Sequence, residues 1–355
     1  MNLRTQTDEA TGNKNLAQFA GFEARKISIK PVDKEFINMR EITVRDYEEF
    51  VKSQRKLVFN ETIGKRNVSI EIGKDWKIPQ SKLQPTNFEL EGTTLWSYPQ
   101  RGDWATHKGD YRGNWPPQMV RNIILRYSEP RDLVLDQMCG SGTTLVECRL
   151  TGRNALGVDI NPDCIMLTRD RLNFKLPDDG EYSSEYLETF QRTFVGDARN
   201  LDLISKGGAF SCVDLIATHP PYANIIPYSR EGLKGDLSYV NSIDEFIEQM
   251  FLVARECYRV LKSGGFCAII VGDTRRNKHY VPIAFRTMQA FLNEGFILKE
   301  DVIKHQWRCK STGFWLKKSV ENNFLLIMHE HLFIFRKPSE DENLGKYRES
   351  LKWWS

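Results

Sequence analysis

The sequence predicts an α/β protein built on a doubly wound, mostly parallel sheet of seven strands. From about residue 130 onward, apolar segments typical of strands alternate with segments typical of helices. Such alternation produces βαβ units, which build a parallel sheet with helices on both faces. The predicted strands are "DLVLDQM", "NALGVDI", "RTFVGDA", "VDLIATH", "GFCAIIVGD", "GFILKEDVI" and "LFIFRK". The last two are expected to form an antiparallel pair at the edge of the sheet.

The rest of the chain is interpreted as an extension at each end of this domain. The first 90 residues are polar and mixed in charge, with a helical candidate in "TVRDYEEFVKSQRKLVF" and a strand candidate in "RNVSIEIG". A chain of 355 residues, 40% of them hydrophobic, can bury one large core plus a smaller appendage. We therefore predict an N-terminal extension at 1–90 for recognition or interaction, a main domain at 91–337 and a C-terminal tail at 338–355.

Charge and cysteine content constrain the partners and the compartment. A net charge of +3 permits an acidic partner such as nucleic acid, provided that the basic surface is local. The seven cysteines include no C-x-x-C pair, as expected of reduced thiols in a cytoplasmic protein, and we predict no metal site. Because the chain shows neither a secretory signal nor a long apolar run, we expect a cytoplasmic location and no membrane partner.

A glycine-rich turn follows the first strand, in "VLDQMCGSGTT". Glycine permits a close backbone approach and turn geometries that other residues resist. The next two strands end at Asp159 and Asp197, and an acid at the tip of the second strand lies where a ribose would bind in a doubly wound nucleotide site. The loop lacks the G-x-x-x-x-G-K-[ST] pattern of a P-loop, which excludes a site that cradles phosphates in this way. It also lacks G-x-G-x-x-G, which argues against a dinucleotide as the ligand. An adenosine ligand without phosphates suits it better.

A rigid corner follows the fourth strand, in "VDLIATHPPY". Proline fixes φ and lacks the N–H of a strand ladder, so the strand must end at Thr218. In the doubly wound order this strand lies beside the one that ends at Asp136, where ligands bind. The corner therefore holds the aromatic ring of Tyr222 beside the predicted ligand loop.

Together, "LDQMCGSGTTLVECRLTGRNALGVDINP" and "THPPY" resemble the class I S-adenosylmethionine-dependent methyltransferases, specifically the DNA amino-methyltransferases that modify adenine N6 or cytosine N4. The likeness runs from about residue 93 to 337, including "RGDWATHKGDYRGNWPPQ" and "HEHLFIFRK". It implies a Rossmann-like methyltransferase domain at 91–337 and S-adenosylmethionine as cofactor. The implied cofactor contacts are Asp136, Met138, Gly140, Ser141, Gly142, Thr143, Thr144, Asp159, Ile160, Asp197, Ala198, Asn114 and Trp115, with Arg112 and Gly113 as further candidates. In this set Asp136, Gly140 and Gly142 line the methionine portion, Asp159 holds the ribose and Asp197 the adenine.

The resemblance also implies catalytic roles for Thr218, His219, Pro220, Pro221 and Tyr222. An exocyclic amine on a base is a poor nucleophile, so the site must hold the amino group with acceptors and aim its lone pair. In the family the first motif residue and the first proline carbonyl do this, here His219 and Pro220, while Tyr222 stacks on a flipped base. Thr218, just before the motif, is similar to the Thr that precedes Ser-Pro-Pro-Tyr in the cytosine-N4 enzymes, which favours cytosine over adenine as the target.

His219 departs from the Asp, Asn or Ser that is usual at this position of the family. A neutral imidazole nitrogen can accept an amino proton, and its reference pKa of about 6.5 predicts that activity falls at mildly acidic pH. The alternative is that His219 only packs or orients the loop, which leaves the Pro220 carbonyl as the sole acceptor.

Basic and aromatic residues suggest where DNA binds. The stretch "KHQWRCKSTGFWLKKSVENN" interleaves lysine and arginine with tryptophan and phenylalanine, which suits phosphate contacts and base stacking. The alternative is a hairpin with a solvated charged face and core aromatics. The predicted DNA contacts are Arg275, Arg276, Lys278, Trp307, Arg308, Lys310 and Trp315.

Two other functions stay open. One is methylation of an amine in RNA or of a glutamine amide in protein, because related corners serve those substrates. The other is a catalytically silent nucleic-acid-binding subunit, which the unusual His219 permits and the intact glycine loop opposes. The predicted partners are DNA and a cognate restriction endonuclease, and the sequence does not indicate an oligomeric state.

Overall fold

The computed structural model describes residues 36–61, 66–177, 184–205, 212–223, 229, 232–307 and 312–351. The strands are β1 Arg40–Ile42, β2 Lys56–Glu61, β3 Arg66–Glu71, β4 Leu95–Ser97, β5 Leu133–Asp136, β6 Asn154–Asp159, β7 Gln191–Val195, β8 Val213–Thr218, β9 Leu261–Val271, β10 Thr274–Arg276, β11 His279–Val281, β12 Ile297–His305 and β13 His329–Arg336. The α-helices are α1 Val44–Ser53, α2 Pro117–Tyr127, α3 Thr143–Leu150, α4 Pro162–Leu172, α5 Ser184–Leu187, α6 Asp202–Ser205, α7 Ile243–Val260, α8 Ile283–Asn293 and α9 Thr312–Glu321. Short 3-10 turns lie at Gln80–Lys82, Leu237–Tyr239 and Leu344–Ser350.

The main sheet has the strand order β1-β7-β6-β5-β8-β9-β13-β12-β4. Strands β5 to β9 pair in parallel, whereas β13 runs antiparallel to both β9 and β12. The seven predicted strands are present as β5 to β9, β12 and β13, so the predicted fold class and the antiparallel edge pair are confirmed. The sheet is larger than predicted, because β1 and β4 add one strand to each edge.

The carboxyl ends of the central strands meet at the point where the strand order reverses. β5 pairs with β6 on one side and with β8 on the other, and each of the strands β5 to β8 leads into a loop at that edge. The strands there are apolar on both faces, as the "VDLIAT" run of β8 shows, because helices cover the sheet. Loops that carry ligands are therefore brought together at the switch point.

Residues 36–90 pack against the main sheet. β1 forms an antiparallel pair with β7, and β2 and β3 form a separate hairpin. The carboxylate of Asp170 in α4 accepts hydrogen bonds from the Tyr47 hydroxyl at 2.7 Å, the Gly73 N–H at 2.7 Å and the Trp76 indole N–H at 3.1 Å. These contacts fasten the described part of the predicted extension to the domain; residues 1–35 lie outside the description.

Among the described residues, none of the helices combines the length and the apolar character that crossing a membrane requires.

Candidate active site

A pocket with about 800 Å³ of empty space lies at the carboxyl ends of β5, β6, β7 and β8. Its wall consists of Tyr111, Gly113, Asn114, Trp115, Gln137, Met138, Cys139, Gly140, Ser141, Thr143, Asp159, Ile160, Asn161, Cys164, Asp197, Ala198, His219, Pro221, Gly235, Asp236 and Leu237. None of these described wall residues is a lysine or an arginine. Most of the predicted cofactor residues are thus brought together in one cavity. Asp136, Gly142, Thr144, Thr218, Pro220 and Tyr222 are outside the wall.

The glycine turn after β5 needs two glycines for steric reasons. Gly140 and Gly142 adopt φ angles of +53° and +80°, the left-handed region that favours glycine. A Cβ atom on Gly142 would lie 2.6 Å from Cγ2 of Thr168, and one on Gly140 would lie 3.0 Å from Cε1 of Tyr111. The turn can therefore pack closely on α4 and on the segment ahead of α2 only without side chains at these positions.

Asp136 supports this turn from beneath the pocket. Its carboxyl accepts a hydrogen bond from the Thr144 hydroxyl at 2.6 Å and one from the Met138 N–H at 3.2 Å. Burial raises its pKa to about 7, although these hydrogen bonds act in the opposite direction. Asp136 and Thr144 therefore hold the turn in place, and their predicted contact with the cofactor remains a prediction.

Asp159 lies in the wall, as the last residue of β6. Its two carboxylate oxygens accept from the backbone N–H groups of Gly140 at 2.8 Å and of Asn161 at 2.9 Å. Burial raises its pKa to about 6, and the two backbone hydrogen bonds oppose that rise. The acid therefore couples the glycine turn to the tip of the second central strand.

Asp197, after β7, is paired with Arg199. The Arg199 Nε and Nη2 atoms donate to the two carboxylate oxygens at 2.9 and 2.6 Å, and Nη2 also donates to the Gly235 carbonyl at 3.0 Å. The arginine thus holds the 235–237 segment against the end of β7. Asp236 and Leu237 of this segment, which were not among the predicted cofactor residues, complete the pocket wall.

The segment ahead of α2 is fastened to α3 by a buried carboxylate. Glu147 is fully buried, and its carboxylate makes three contacts of 2.7 Å. It accepts hydrogen bonds from the Trp104 indole N–H and the Arg121 Nε–H, and it pairs with Nε2 of His107. Arg121 and His107 hold the pKa of Glu147 below its ordinary value in spite of burial. This cluster places the predicted Asn114 and Trp115 in the pocket wall, while the predicted Arg112 is outside it.

Asn114 also contacts the glycine turn directly. Its amide donates to the Ser141 hydroxyl at 3.2 Å and to the Lys108 carbonyl at 2.8 Å. Trp115 is buried, and its ring centroid lies 5.9 Å from that of His219. The upstream segment thus links the cofactor loop to the corner after β8.

A chain of hydrogen bonds starts at that corner. His219 Nε2 lies 2.6 Å from the Tyr222 hydroxyl, which lies 2.7 Å from Oε1 of Glu330 in β13. The other carboxylate oxygen of Glu330 receives the ammonium group of Lys304 in β12 at 2.6 Å. Sequence analysis did not identify Glu330 or this function of Lys304, since the Tyr222 contact spans more than a hundred residues of chain.

The chain of hydrogen bonds favours one tautomer of His219. Glu330, ion-paired with Lys304, has a pKa below its ordinary value and accepts the single proton of the Tyr222 hydroxyl. The tyrosine oxygen can then accept from His219, which favours the tautomer with the ring proton on Nε2 and the lone pair on Nδ1. The Gly113 carbonyl acts in the opposite direction, because it would accept from a protonated Nδ1. Nδ1 approaches the Gly113 carbonyl but makes no hydrogen bond of regular geometry with a described residue.

Burial lowers the pKa of His219 to about 4. Glu330 acts in the raising direction and Lys304 in the lowering direction, and neither overcomes the loss of solvation. The imidazole is therefore neutral throughout the mildly acidic range. The expectation that it becomes charged there, which used the reference pKa of a solvated histidine, is wrong for this environment.

The Tyr222 ring rests on the end of β9. A Cβ atom at Gly272 would lie 2.6 Å from Cε2 of Tyr222, so this glycine makes room for the ring. Pro220 is buried, and Pro221 forms part of the pocket wall. The corner is thus held from both sides, by prolines along the chain and by β9 and β13 through the tyrosine.

The predicted DNA contacts leave the sheet at the same edge as the pocket. β10 and β11 form a hairpin directly after β9, and the connection from β12 to β13 also starts and ends there because these strands are antiparallel. Arg276 and Lys278 are exposed, whereas Arg275 donates to the carbonyls of Leu325 and Lys278 at 2.9 and 3.0 Å. Arg308 and Lys310 lie outside the described residues.

The connection from β12 to β13 contains α9, with an exposed apolar and basic surface. Phe314, Trp315, Leu316 and Val320 are between 44% and 79% exposed, and the Lys318 ammonium lies over the rings of the first two. Trp307 is also exposed, and its indole donates to the Ser97 hydroxyl at 2.7 Å. The alternative interpretation of this stretch as a hairpin with core aromatics is therefore wrong.

Comparison with known proteins finds methyltransferases that each match a part of the chain. Type II methyltransferase M.XycI of Xanthomonas campestris pv. cyanopsidis is 34% identical over 77 residues, covering 21% of this chain and 26% of the relative. DNA adenine methyltransferase YhdJ of Escherichia coli K12 is 27% identical over 123 residues, covering 35% and 40%. A tRNA (guanine(10)-N2)-dimethyltransferase of Methanothermobacter thermautotrophicus is 31% identical over 135 residues, covering 38% and 34%. The chain spans less than half the length of each of these curated relatives.

A family model gives the broadest match. The N6/N4 model, described as DNA methylase, matches residues 8–170 and 213–353. These ranges include the glycine turn, the corner after β8 and the last strand, the motifs that sequence analysis had singled out. The chain belongs to the N6/N4 DNA methylase family.

Proposed function

We propose that this protein is a DNA amino-methyltransferase that methylates the exocyclic amino group of a flipped base. The observation that carries the proposal is the corner after β8, where His219 lies in the pocket wall and is held by the Tyr222 hydroxyl, which in turn contacts Glu330. S-adenosylmethionine is the family's cofactor, and it supplies an electrophilic methyl group as part of a positively charged sulfonium.

The pocket has the chemistry that this cofactor requires. Its described wall contains the carboxylates Asp159, Asp197 and Asp236 and neither lysine nor arginine. Arg199 offsets the charge of Asp197, and the other two carboxylates leave a field that favours a cation over a phosphate. The left-handed glycines keep the turn after β5 free of side chains, which allows close backbone approach. Asp159 would hold the ribose hydroxyls, and Asp197 with Ala198 would border the adenine.

The corner would act mainly by positioning. His219 Nδ1 and the Pro220 carbonyl would accept the two protons of the amino group, which aims the nitrogen lone pair at the methyl group. Once methylated, the nitrogen is a strong acid, so its proton leaves without a strong base in the site. Such an acceptor must be neutral, which the low pKa of His219 provides, and its proton must be on Nε2, which the contact with Tyr222 favours.

Tyr222 would provide the face on which the target base stacks. A base within a duplex cannot reach the end of β8, so the nucleotide must rotate out of the helix, and stacking offsets part of the energy lost. The hydroxyl of Tyr222 fixes the ring to Glu330 while one face of the ring is supported at Gly272.

DNA contacts would come from the two segments beside the pocket. Arg275, Arg276 and Lys278 lie on the hairpin after β9, and Trp307, Arg308, Lys310 and Trp315 belong to the connection between β12 and β13. Phosphate contacts and base stacking are the chemistry of such residues. The region 1–90 is a further candidate for target recognition, and the Type II names of relatives support a restriction endonuclease as partner.

The target is proposed as cytosine N4 in preference to adenine N6. Mass spectrometry of nucleosides from DNA of cells that express the protein tests the reaction and names the base. N4-methylcytosine or N6-methyladenine should appear with the parent protein and be absent with a folded Tyr222→Ala variant. If neither appears while S-adenosylmethionine still binds in calorimetry, the DNA proposal fails.

Methylation of RNA is the second candidate, because one relative is named as a tRNA guanine-N2 enzyme. Nucleoside analysis of RNA from the same cells separates the two proposals. N2-methylguanosine that depends on Tyr222, without a modified DNA base, would favour RNA.

A further inference from the structure

Two histidines and an aspartate come together on the side of β13 that faces away from Glu330. Asp273 follows β9 directly, and His329 and His331 alternate with Glu330 along β13. Each residue offers one donor atom, and these atoms all lie within 4.8 Å of one another. The side chains of Asp273 and His331 are only 1% and 6% exposed. None of these three residues takes part in the proposed methyl transfer.

His331 is held in one orientation. Its Nδ1 lies 3.0 and 3.3 Å from the two carboxylate oxygens of Asp301, and its ring packs against Phe333 at a centroid distance of 5.5 Å and Phe285 at 4.8 Å. A carboxylate accepts, so in the neutral ring Nδ1 carries the proton and Nε2 carries the lone pair. This is the carboxylate–histidine arrangement that orients metal-binding imidazoles.

The Nε2 lone pair then faces another acceptor. Nε2 of His331 lies 3.8 Å from Oδ2 of Asp273, which is too long for a hydrogen bond. The Asp273 carboxylate is itself held, because it accepts from the Ala284 N–H at 2.7 Å and from the Tyr280 hydroxyl. A cation between these two atoms, Nε2 of His331 and Oδ2 of Asp273, could be bound by both.

We propose that Asp273, His329 and His331 bind a zinc ion. Two imidazole nitrogens and one carboxylate oxygen suit zinc, and water would complete the tetrahedron beside the partly exposed His329. Zinc–ligand bonds of about 2.0–2.1 Å place tetrahedral donors about 3.3 Å apart. The separation of the donor atoms would therefore have to shrink by at most about 1.5 Å, and rotation of the His329 side chain can provide this change.

The ion would join parts of the structure that meet only here. Asp273 links the end of β9 to the first turn of α8 and, through Tyr280, to the hairpin β10–β11, while the histidines belong to the start of β13. Zinc would thus fix the hairpin that carries Arg275 and Arg276 relative to the strand that carries Glu330. This proposal does not depend on the methyl-transfer proposal.

Metal titration of the full chain tests the site. Protein dialysed against a chelator is titrated with zinc chloride by calorimetry, and its melting temperature is recorded with and without zinc. We expect one equivalent to bind and to raise the melting temperature, since a ligand of the native state stabilises it. His329→Ala and Asp273→Asn should weaken binding at least about 10-fold and abolish the shift. His279→Ala, which alters an exposed histidine of the same hairpin, should behave as the parent protein.

Three outcomes would overturn the proposal. The first is the absence of stoichiometric zinc binding, which would mean that a protonated His331 bridges Asp301 and Asp273 instead. The second is unchanged binding in the His329→Ala and Asp273→Asn variants. The third is a thiolate charge-transfer band when cobalt replaces zinc, which would assign the metal to cysteines.

Discussion

Removal of the Tyr222 hydroxyl tests whether the chain of hydrogen bonds sets the state of His219. The Tyr222→Phe variant keeps the ring, its contact with Gly272 and its stacking face. It removes the 2.6 Å contact to His219 and the 2.7 Å contact to Glu330. The Gly113 carbonyl near Nδ1 would then favour the opposite tautomer, in which Nδ1 is protonated and cannot accept an amino proton.

The magnitude follows from the bonds that are lost. One hydrogen bond stabilises the required tautomer by about 0.5–1.5 kcal/mol, so its loss should lower the methyl-transfer rate roughly 2- to 10-fold. Glu330 loses a hydrogen bond to a buried charge, which should lower the free energy of unfolding by about 1.5–3 kcal/mol. Tyr222→Ala also removes the stacking face, and a further loss of about 1–3 kcal/mol is expected in transfer to the base.

The assay is a single-turnover measurement at saturating S-adenosylmethionine with labelled methyl. Genomic DNA from a host without amino-methylated bases serves as acceptor, because it contains every short recognition sequence. Calorimetry with S-adenosylmethionine provides the control, since both variants should bind it as the parent does. A Tyr222→Phe variant with the parent rate would refute the tautomer argument. A variant that loses cofactor binding would show that the hydroxyl supports the pocket instead.

Three further predictions concern the pocket and its supports. Asp159 is charged above its pKa of about 6 and neutral below it, so affinity for S-adenosylmethionine should fall as pH drops through 6, by up to about 10-fold per unit. Asp159→Asn should reduce this step in calorimetric titrations, and the remaining pH dependence is assigned to Asp136, whose pKa is about 7. Equal affinity at pH 7 and 5 would contradict the prediction. Gly142→Ala should lower the free energy of unfolding by about 1–3 kcal/mol, and with it the melting temperature, because the new Cβ would lie 2.6 Å from a side-chain atom of Thr168. Gly92→Ala should leave the melting temperature unchanged, because the space around Gly92 is open. Glu147→Gln should lower the free energy of unfolding, measured in urea, by about 3–5 kcal/mol because it leaves buried basic groups without their carboxylate. Glu349→Gln, at an exposed site, should change that free energy by less than about 0.5 kcal/mol. Equal effects of the two variants would argue against the buried cluster.

The sheet was predictable because its signals are local. An apolar run such as β8 and the prolines after it are contiguous in sequence, and the order of strands follows from the rules of doubly wound sheets. The positions of Asp159 and Asp197 at strand ends follow from the same rules. Their contacts with the cofactor remain a prediction.

Other features depend on contacts between distant segments. Glu330 reaches Tyr222 across the sheet, and no local pattern connects "HEHLFIF" with "HPPY". The low pKa of His219 results from burial, which the residue type alone does not indicate. The prediction of no metal site was based on cysteine spacing alone. The His-x-His pair of β13 becomes a candidate metal site only because the fold brings Asp273 beside it. Asp236 was missed because it lies in a polar loop without regular pattern.

The connection between β12 and β13 is closed at its base by the backbone bond from the Gln306 N–H to the Met328 carbonyl, at 2.9 Å. Cross-strand pairing continues from there into the sheet. The fold therefore fixes the two ends of this segment more than it constrains the sequence between them. A segment with these properties can be exchanged between relatives without disturbing the core. If this segment contacts DNA as proposed, grafting a homologous 307–327 segment should change the target sequence and leave the reaction unchanged.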